Sequence, residues 1–197
     1  MVLDAVKKYR IILASRSPRR QELLSGMGLD FEVRQPDVEE VYPPHLSPEE
    51  IPAFLAEQKL SGFNRDELPD NVLLIGCDTL VFLDRTPFGK AYNATEAAQM
   101  LQQLSGKTHS VISGLCVQTK QHQITETAIS KVRFKTFSEA EVDYYIQKYQ
   151  PFDKAGAYGI QEWLGYIGVE SIEGSFYNIM GLPTATLWKI LEKIAGT

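Results

Sequence analysis

The sequence predicts an α/β fold built on a mixed sheet. Three observations carry that prediction. Short apolar runs bounded by turn residues alternate with stretches whose apolar side chains recur at helical spacing, the pattern of strands feeding helices. Helix starts are written in capping chemistry at Ser17-Pro18, Ser47 to Glu50, Asn93 to Glu96 and Ser138 to Glu141. Residues 108–136 alternate loosely in polarity around a polar break at Lys120 to Gln123, which predicts an antiparallel pair and makes the sheet mixed.

Taken in order, Tyr9 to Ala14 is an apolar run that predicts a buried strand. A helix follows from Ser17 and Pro18, with Leu23, Leu24 and Met27 on one face and Gly26 and Gly28 at its end. Phe31 to Val33 predicts a second strand, and residues 34–46, with three prolines, a loop. Glu50 stands at the capping-box position after Ser47, and Ile51, Phe54 and Leu55 form the next apolar stripe. Val72 to Leu83 is the most apolar stretch and predicts a central strand pair or a bent strand; Asp84 to Gly89 reads as a turn. Asn93 caps a helix with Ala97, Ala98, Leu101 and Leu104 inward, stopped at Ser105-Gly106. Ser138 and Glu141 open a helix striped by Val142, Tyr145, Ile146 and Tyr149. Residues 151–161 read as a Gly-containing loop, 170–180 as a strand, and Pro183 opens a last helix with Leu187, Ile190, Leu191 and Ile194 inward.

Composition narrows the function. At 197 residues the chain has room for one domain or two small lobes. A hydrophobic share of 44% with 14 Gly and 10 Pro excludes a disordered or collagenous chain. No apolar run has the length of a membrane span and Met1 to Tyr9 lacks a signal segment, which predicts a cytoplasmic protein with no membrane partner. A net charge of −5 disfavours nucleic-acid binding. Cys77 and Cys116 are far apart without a CxxC and predict core residues.

Against that background four features call for chemistry. Ser15-Arg16-Ser17-Pro18-Arg19-Arg20 puts two guanidiniums where a helix dipole is already positive, an arrangement that suits a bound anion and is otherwise a solvated basic helix start. Asp78 interrupts the most apolar stretch, where an ionised carboxylate needs a metal, a lysine or a strand end facing a cleft. Glu39-Glu40, in the proline-rich loop, reads alone as an exposed acidic loop; with Asp78 it could complete an oxygen site for Mg2+ or Mn2+. Lys59, Lys90 and Lys154 sit at the edge of a helix stripe, at the end of a turn and inside the 151–161 loop; singly each reads as a snorkelling surface lysine. Other chemistries lack their residues. Gly106-Lys107-Thr108 resembles a Walker A ending, but Leu101 occupies the required earlier glycine. GxGxxG, HExxH and GxSxG are absent, and His45, His109 and His122 are scattered.

Together these blocks resemble the Maf family of nucleoside triphosphate pyrophosphatases, a family linked to septum formation. The resemblance covers roughly residues 10–192. It rests on residues 13–20 (LASRSPRR), Gly76-Cys77-Asp78-Thr79, Lys90, residues 153–161 (DKAGAYGIQ) and residues 174–183 (GSFYNIMGLP). It implies a Maf/ITPase-like fold, a single domain over 1–197 with two lobes around a twisted mixed β-sheet flanked by helices, and a site in the cleft between lobes. It implies hydrolysis of a nucleoside triphosphate to monophosphate and pyrophosphate with a divalent cation, Mg2+ or Mn2+, as house-cleaning of nucleotide pools. The family's catalytic position falls on Asp78, its phosphate-binding positions on Ser15, Arg19, Arg20, Lys59 and Lys90, and its second acidic position on Glu40. Positions tied to substrate choice fall on Arg19, Thr79 and Gln161. The Ser-Pro-Arg-Arg form is similar to the branch that prefers dTTP and UTP; the 7-methyl-GTP branch typically carries an aromatic residue in place of Arg19. Two departures stand out: Ala91-Tyr92 after Lys90, where Pro-Arg is frequent, and Glu162-Trp163 after Gln161, where Gly is common. Two competing expectations are a nucleotide-binding division regulator without turnover and a pyrophosphatase for non-standard purine triphosphates. A homodimer is left open.

Overall fold

The structure is a computed structural model and describes residues 1–196. Its elements are α1 (Val2–Val6), β1 (Arg10–Leu13), α2 (Pro18–Gly26), β2 (Phe31–Val33), α3 (Glu50–Leu60), β3 (Val72–Leu83), β4 (Thr86–Phe88) and α4 (Ala94–Leu104). They continue with β5 (Thr108–Gln118), β6 (Gln123–Phe134), α5 (Glu139–Tyr149), α6 (Trp163–Gly168), β7 (Val169–Glu173), α7 (Phe176–Met180) and α8 (Thr184–Ala195). The expected α/β class is the observed one.

The seven strands form one mixed sheet in the order β2-β1-β3-β5-β6-β7, with β4 hydrogen-bonded to β3 off that path. β1 runs parallel to β2, Ile11 opposite Phe31, and to β3, Leu13 opposite Ile75. Ile11 to Leu13 and Val72 to Cys77 are buried without a break, as strands covered on both faces must be. The far end of β3 pairs antiparallel with β4, and β6 with β7. β5 and β6 are neighbours joined by a four-residue connection closed by Thr119 N–H donating to the His122 carbonyl at 2.8 Å, a link that only an antiparallel pair permits. From Lys131 to Phe134 burial alternates strictly, the signature of a strand with one solvated face.

The chain divides into two compact units. The first comprises residues 1–78, 113–128 and the C-terminal stretch from Gly181; the second comprises 79–112 and 129–180. In the first unit Ile12, Ala14, Ala56, Leu60, Leu68, Val72, Leu74 and Cys116 form one buried cluster. In the second, α4 packs against α5, and Tyr145, Phe82, Phe134, Leu101 and Leu104 are fully buried. Both cysteines are buried thiols, and no described helix is long and apolar enough to cross a membrane.

Three expectations are corrected in detail. Asp84 to Gly89 is not all turn: Leu83 and Thr86 pair across Asp84-Arg85, and Asp84 takes a positive φ of 54°, so a two-residue hairpin turn suffices. Pro87 is tolerated because β4 is an edge. Residues 170–180 are not one strand; β7 ends at Glu173, and Ser175 Oγ accepts the Asn178 N–H at 3.3 Å to start α7. At Ser47 only half the capping box forms, with the Glu50 carboxylate accepting the Ser47 N–H at 2.8 Å while α3 begins at Glu50. The box at Ser138 and Glu141 is complete, and Asn93 caps α4 through Glu96 N–H. Neither α1 nor α6 was expected.

His109 is buried at 2% exposure and its Nε2 shares a 2.8 Å hydrogen bond with the Tyr158 hydroxyl, among the rings of Phe134 and Tyr158. Burial pushes its pKa down to about 4, against about 6.5 in the unfolded chain. Between those values the unfolded state binds more protons, so stability falls as pH drops from about 6.5 towards 4. His109→Gln is expected to flatten the urea-unfolding stability profile across that window by about 3 kcal/mol relative to the unaltered chain.

Candidate active site

The first unit presents a strand, a short loop and a helix start. Ile11 to Leu13 are buried, so Ser15 emerges at the end of β1 and α2 begins at once at Pro18. Ser17 holds the N-cap with extended backbone and no side-chain capping bond, and the first turn of α2 holds no acidic residue. The positive helix end is therefore not offset by a local carboxylate, while Arg19 and Arg20 add to it. Arg20 is oriented on both sides: Nε donates to the Gly181 carbonyl at 2.8 Å and Nη1 to Ser15 Oγ at 3.1 Å. Ser15 Oγ also accepts the Ser17 N–H at 3.2 Å. Arg19 is half-buried in the same turn.

Helix α3 lies against the sheet at two glycines. A Cβ at Gly76 would stand 2.4 Å from the Ala56 carbonyl, and one at Gly114 would stand 2.1 Å from the Pro52 backbone. No other residue permits that approach. It puts Lys59, 5% exposed, within 2.8 Å of Asp78 Oδ1. The same Nζ lies 2.7 Å from Glu40 Oε2. Glu40 belongs to the loop between β2 and α3, and Gln58 tethers that loop to α3 by donating from Nε2 to the Val41 carbonyl at 3.1 Å. A buried ammonium with two carboxylates is the partner that the apolar setting of Asp78 demands.

Glu40 and Asp78 thus converge on one point. Both are hard oxygen donors, and Mg2+ is commonly held by one or two carboxylates together with phosphate oxygens and water. Among the described residues no group of three His, Cys, Asp or Glu side chains gathers around a metal position. The pair fits an ion that draws its other ligands from a phosphorylated substrate.

The second unit supplies a different assembly. Thr79 follows Asp78 on β3 and opens this unit. Lys90 is exposed and forms a β-bridge with Ala155, and the Gly156 N–H donates to the Gly89 carbonyl at 2.9 Å. Gly156 and Ala157 both take positive φ, 67° and 57°, so the loop doubles back. Gln161 ends it half-buried, with Oε1 buried and without a partner among the described residues. Lys154 is no surface lysine: at 7% exposure it lies 2.8 Å from Asp153 and 3.2 Å from Glu162.

Within the first unit the structure brings Glu40, Lys59 and Asp78 together, and Ser15 with Arg20. Within the second it links the Lys90 strand end to the loop that carries Gln161. Sequence reasoning missed Gln58, Tyr145 and Glu162 as polar partners; each acts through a tertiary hydrogen bond that no spacing announces.

Fold and site together define an α/β protein with an arginine-bearing helix start free of acidic residues, a carboxylate pair and a buried lysine. The family model for Maf-like proteins matches residues 10–194, and the chain belongs to the Maf family. A relative in Phocaeicola vulgatus named dTTP/UTP pyrophosphatase is 50% identical over 194 residues, 98% of this chain and 100% of that protein. Proteins of the same name in Bacteroides thetaiotaomicron and Flavobacterium johnsoniae are 51% and 47% identical, with the same coverage.

Removing Lys59 strands the mostly buried Asp78 carboxylate, while Glu40 stays open to water. Lys59→Met is expected to cost about 3 kcal/mol in urea unfolding at pH 7. Combining it with Asp78→Asn should cost at least about 1 kcal/mol less than the two single losses added. Strict additivity would show that the pair is not coupled.

Proposed function

We propose that this chain hydrolyses dTTP and UTP to the nucleoside monophosphate and pyrophosphate. The observation that carries the reading is Lys59 held in the interior between Asp78 and Glu40. Full-length relatives named dTTP/UTP pyrophosphatase support the substrate class. A cytoplasmic location suits an enzyme of nucleotide pools.

In this reading Ser15, Arg19 and Arg20 donate to phosphate oxygens at the start of α2, where guanidinium geometry and the helix dipole favour an anion. Lys59 neutralises charge on the β- and γ-phosphates, and the resemblance assigns Lys90 to the same task. Asp78 orients the attacking water or accepts its proton. The new bond joins the water oxygen to the α-phosphorus; the α–β bridging bond breaks, and pyrophosphate leaves with the electron pair. Glu40 and Asp78 would hold Mg2+ or Mn2+, which supplies charge neutralisation on phosphate oxygens and a more acidic water. Positioning and electrostatics carry the rate, as in phosphoryl transfer generally. Gln161 and Thr79 are assigned to the pyrimidine. A neutral amide carries both the acceptor and the donor that uracil and thymine edges require.

The test is pyrophosphate release, with Mg2+ or Mn2+, from dTTP, UTP, CTP, ATP, 7-methyl-GTP, ITP and XTP. Turnover is expected to favour dTTP and UTP and to be lost on chelation. Asp78→Asn should keep nucleotide binding and lose at least about 100-fold in kcat. Activity confined to ITP and XTP would overturn the substrate class, and an unimpaired Asp78→Asn the role of Asp78.

A further inference from the structure

Glu162 occupies the N-cap of α6, where an acidic side chain ordinarily bonds the first helical amides. Here it makes no capping bond. Its carboxylate is turned back into the loop before it: Oε1 lies 3.2 Å from Lys154 Nζ, and Oε2 accepts a short hydrogen bond from the Tyr145 hydroxyl. The Tyr145 oxygen in turn accepts the Gly159 N–H at 2.9 Å. Burial and the adjacent Glu162 charge push the Tyr145 pKa up, so the hydroxyl stays a donor. Tyr145 itself is fully buried on α5. Lys154 at the start of the loop and Glu162 just past its end are therefore clamped to each other and, through Tyr145, to α5. Tyr158 inside the loop is held separately by His109.

The residue before the clamp is Gln161. An amide is a two-faced reader: turned or shifted, it matches uracil through one donor–acceptor pair and cytosine through the reverse. Selectivity then depends on where the amide is held. The buried Oε1 of Gln161 has no partner among the described residues, so no protein hydrogen bond at that oxygen orients it, and the placement of its backbone bears on where the amide is held. We infer that Glu162 is the positioning residue for base selection, fixing Gln161 through Tyr145 and Lys154. The inference rests on the proposed reading of Gln161 as the group that meets the pyrimidine.

The experiment compares affinities for non-hydrolysable α,β-imido UTP and CTP, by calorimetry, for the unaltered chain, Glu162→Gly, Tyr145→Phe and Glu162→Gln. The unaltered chain is expected to prefer the uracil analogue. Glu162→Gly and Tyr145→Phe should cut that preference by about tenfold, and Glu162→Gln, which keeps an acceptor for Tyr145, should restore most of it. Either of the first two variants decides the matter if it folds, as judged by circular dichroism. Preference retained in a folded Glu162→Gly or Tyr145→Phe overturns the inference, as does an unaltered chain with no preference. Failure of the proposed function shows differently, as uracil preference in binding with no pyrophosphate released from UTP.

Discussion

The approach of α3 to the sheet is the constraint on which the candidate site depends. Two glycines on neighbouring strands, Gly76 and Gly114, let the helix backbone come within contact of the strand backbone. Any side chain at either position meets main-chain atoms that have nowhere to go. That closeness brings the Lys59 ammonium to a carboxylate on β3 two residues beyond Gly76. A helix displaced by the width of a methyl group would leave both ions buried and apart, at a cost of several kcal/mol. Packing and electrostatics thus meet in one feature: the glycines permit the backbone approach, and the approach brings Lys59 to Asp78.

The chain is acidic overall, yet the candidate site of the first unit is rich in held cations. Arg20 is oriented by the Gly181 carbonyl and the Ser15 hydroxyl. Lys59 is paired with Asp78 and Glu40. In the proposed reaction, donors held in place before a triphosphate arrives would leave little reorganisation for the moment of bond breaking. Net charge says little about this; local placement decides it.

Much of this was legible in the sequence because it is written locally. The apolar stretch of β3, the capping signals at Asn93 and Ser138, and the Ser-Arg-Ser-Pro-Arg-Arg segment all act within a few residues of themselves. Asp78 was conspicuous because a carboxylate in an apolar strand demands a partner, and Lys59 is that partner. The misses have the opposite origin. α6 holds two glycines, which lower helix propensity and hide it. The stretch 170–180 has strand-forming residues on both sides of Gly174, and only Ser175 marks the new helix. Glu162 stands where the resemblance commonly has Gly, but its direction is decided by Tyr145, which lies 17 positions earlier and reads in sequence as an ordinary stripe residue. Gln58 gave no signal, since a glutamine on a helix is usually solvated.

The proposed reaction directs water to the α-phosphorus of a pyrimidine triphosphate. The most direct measurement is turnover of UTP in 18O-labelled water with mass analysis of both products. The account predicts one labelled oxygen in UMP and none in pyrophosphate. Label in pyrophosphate, or release of orthophosphate in place of pyrophosphate, would contradict it.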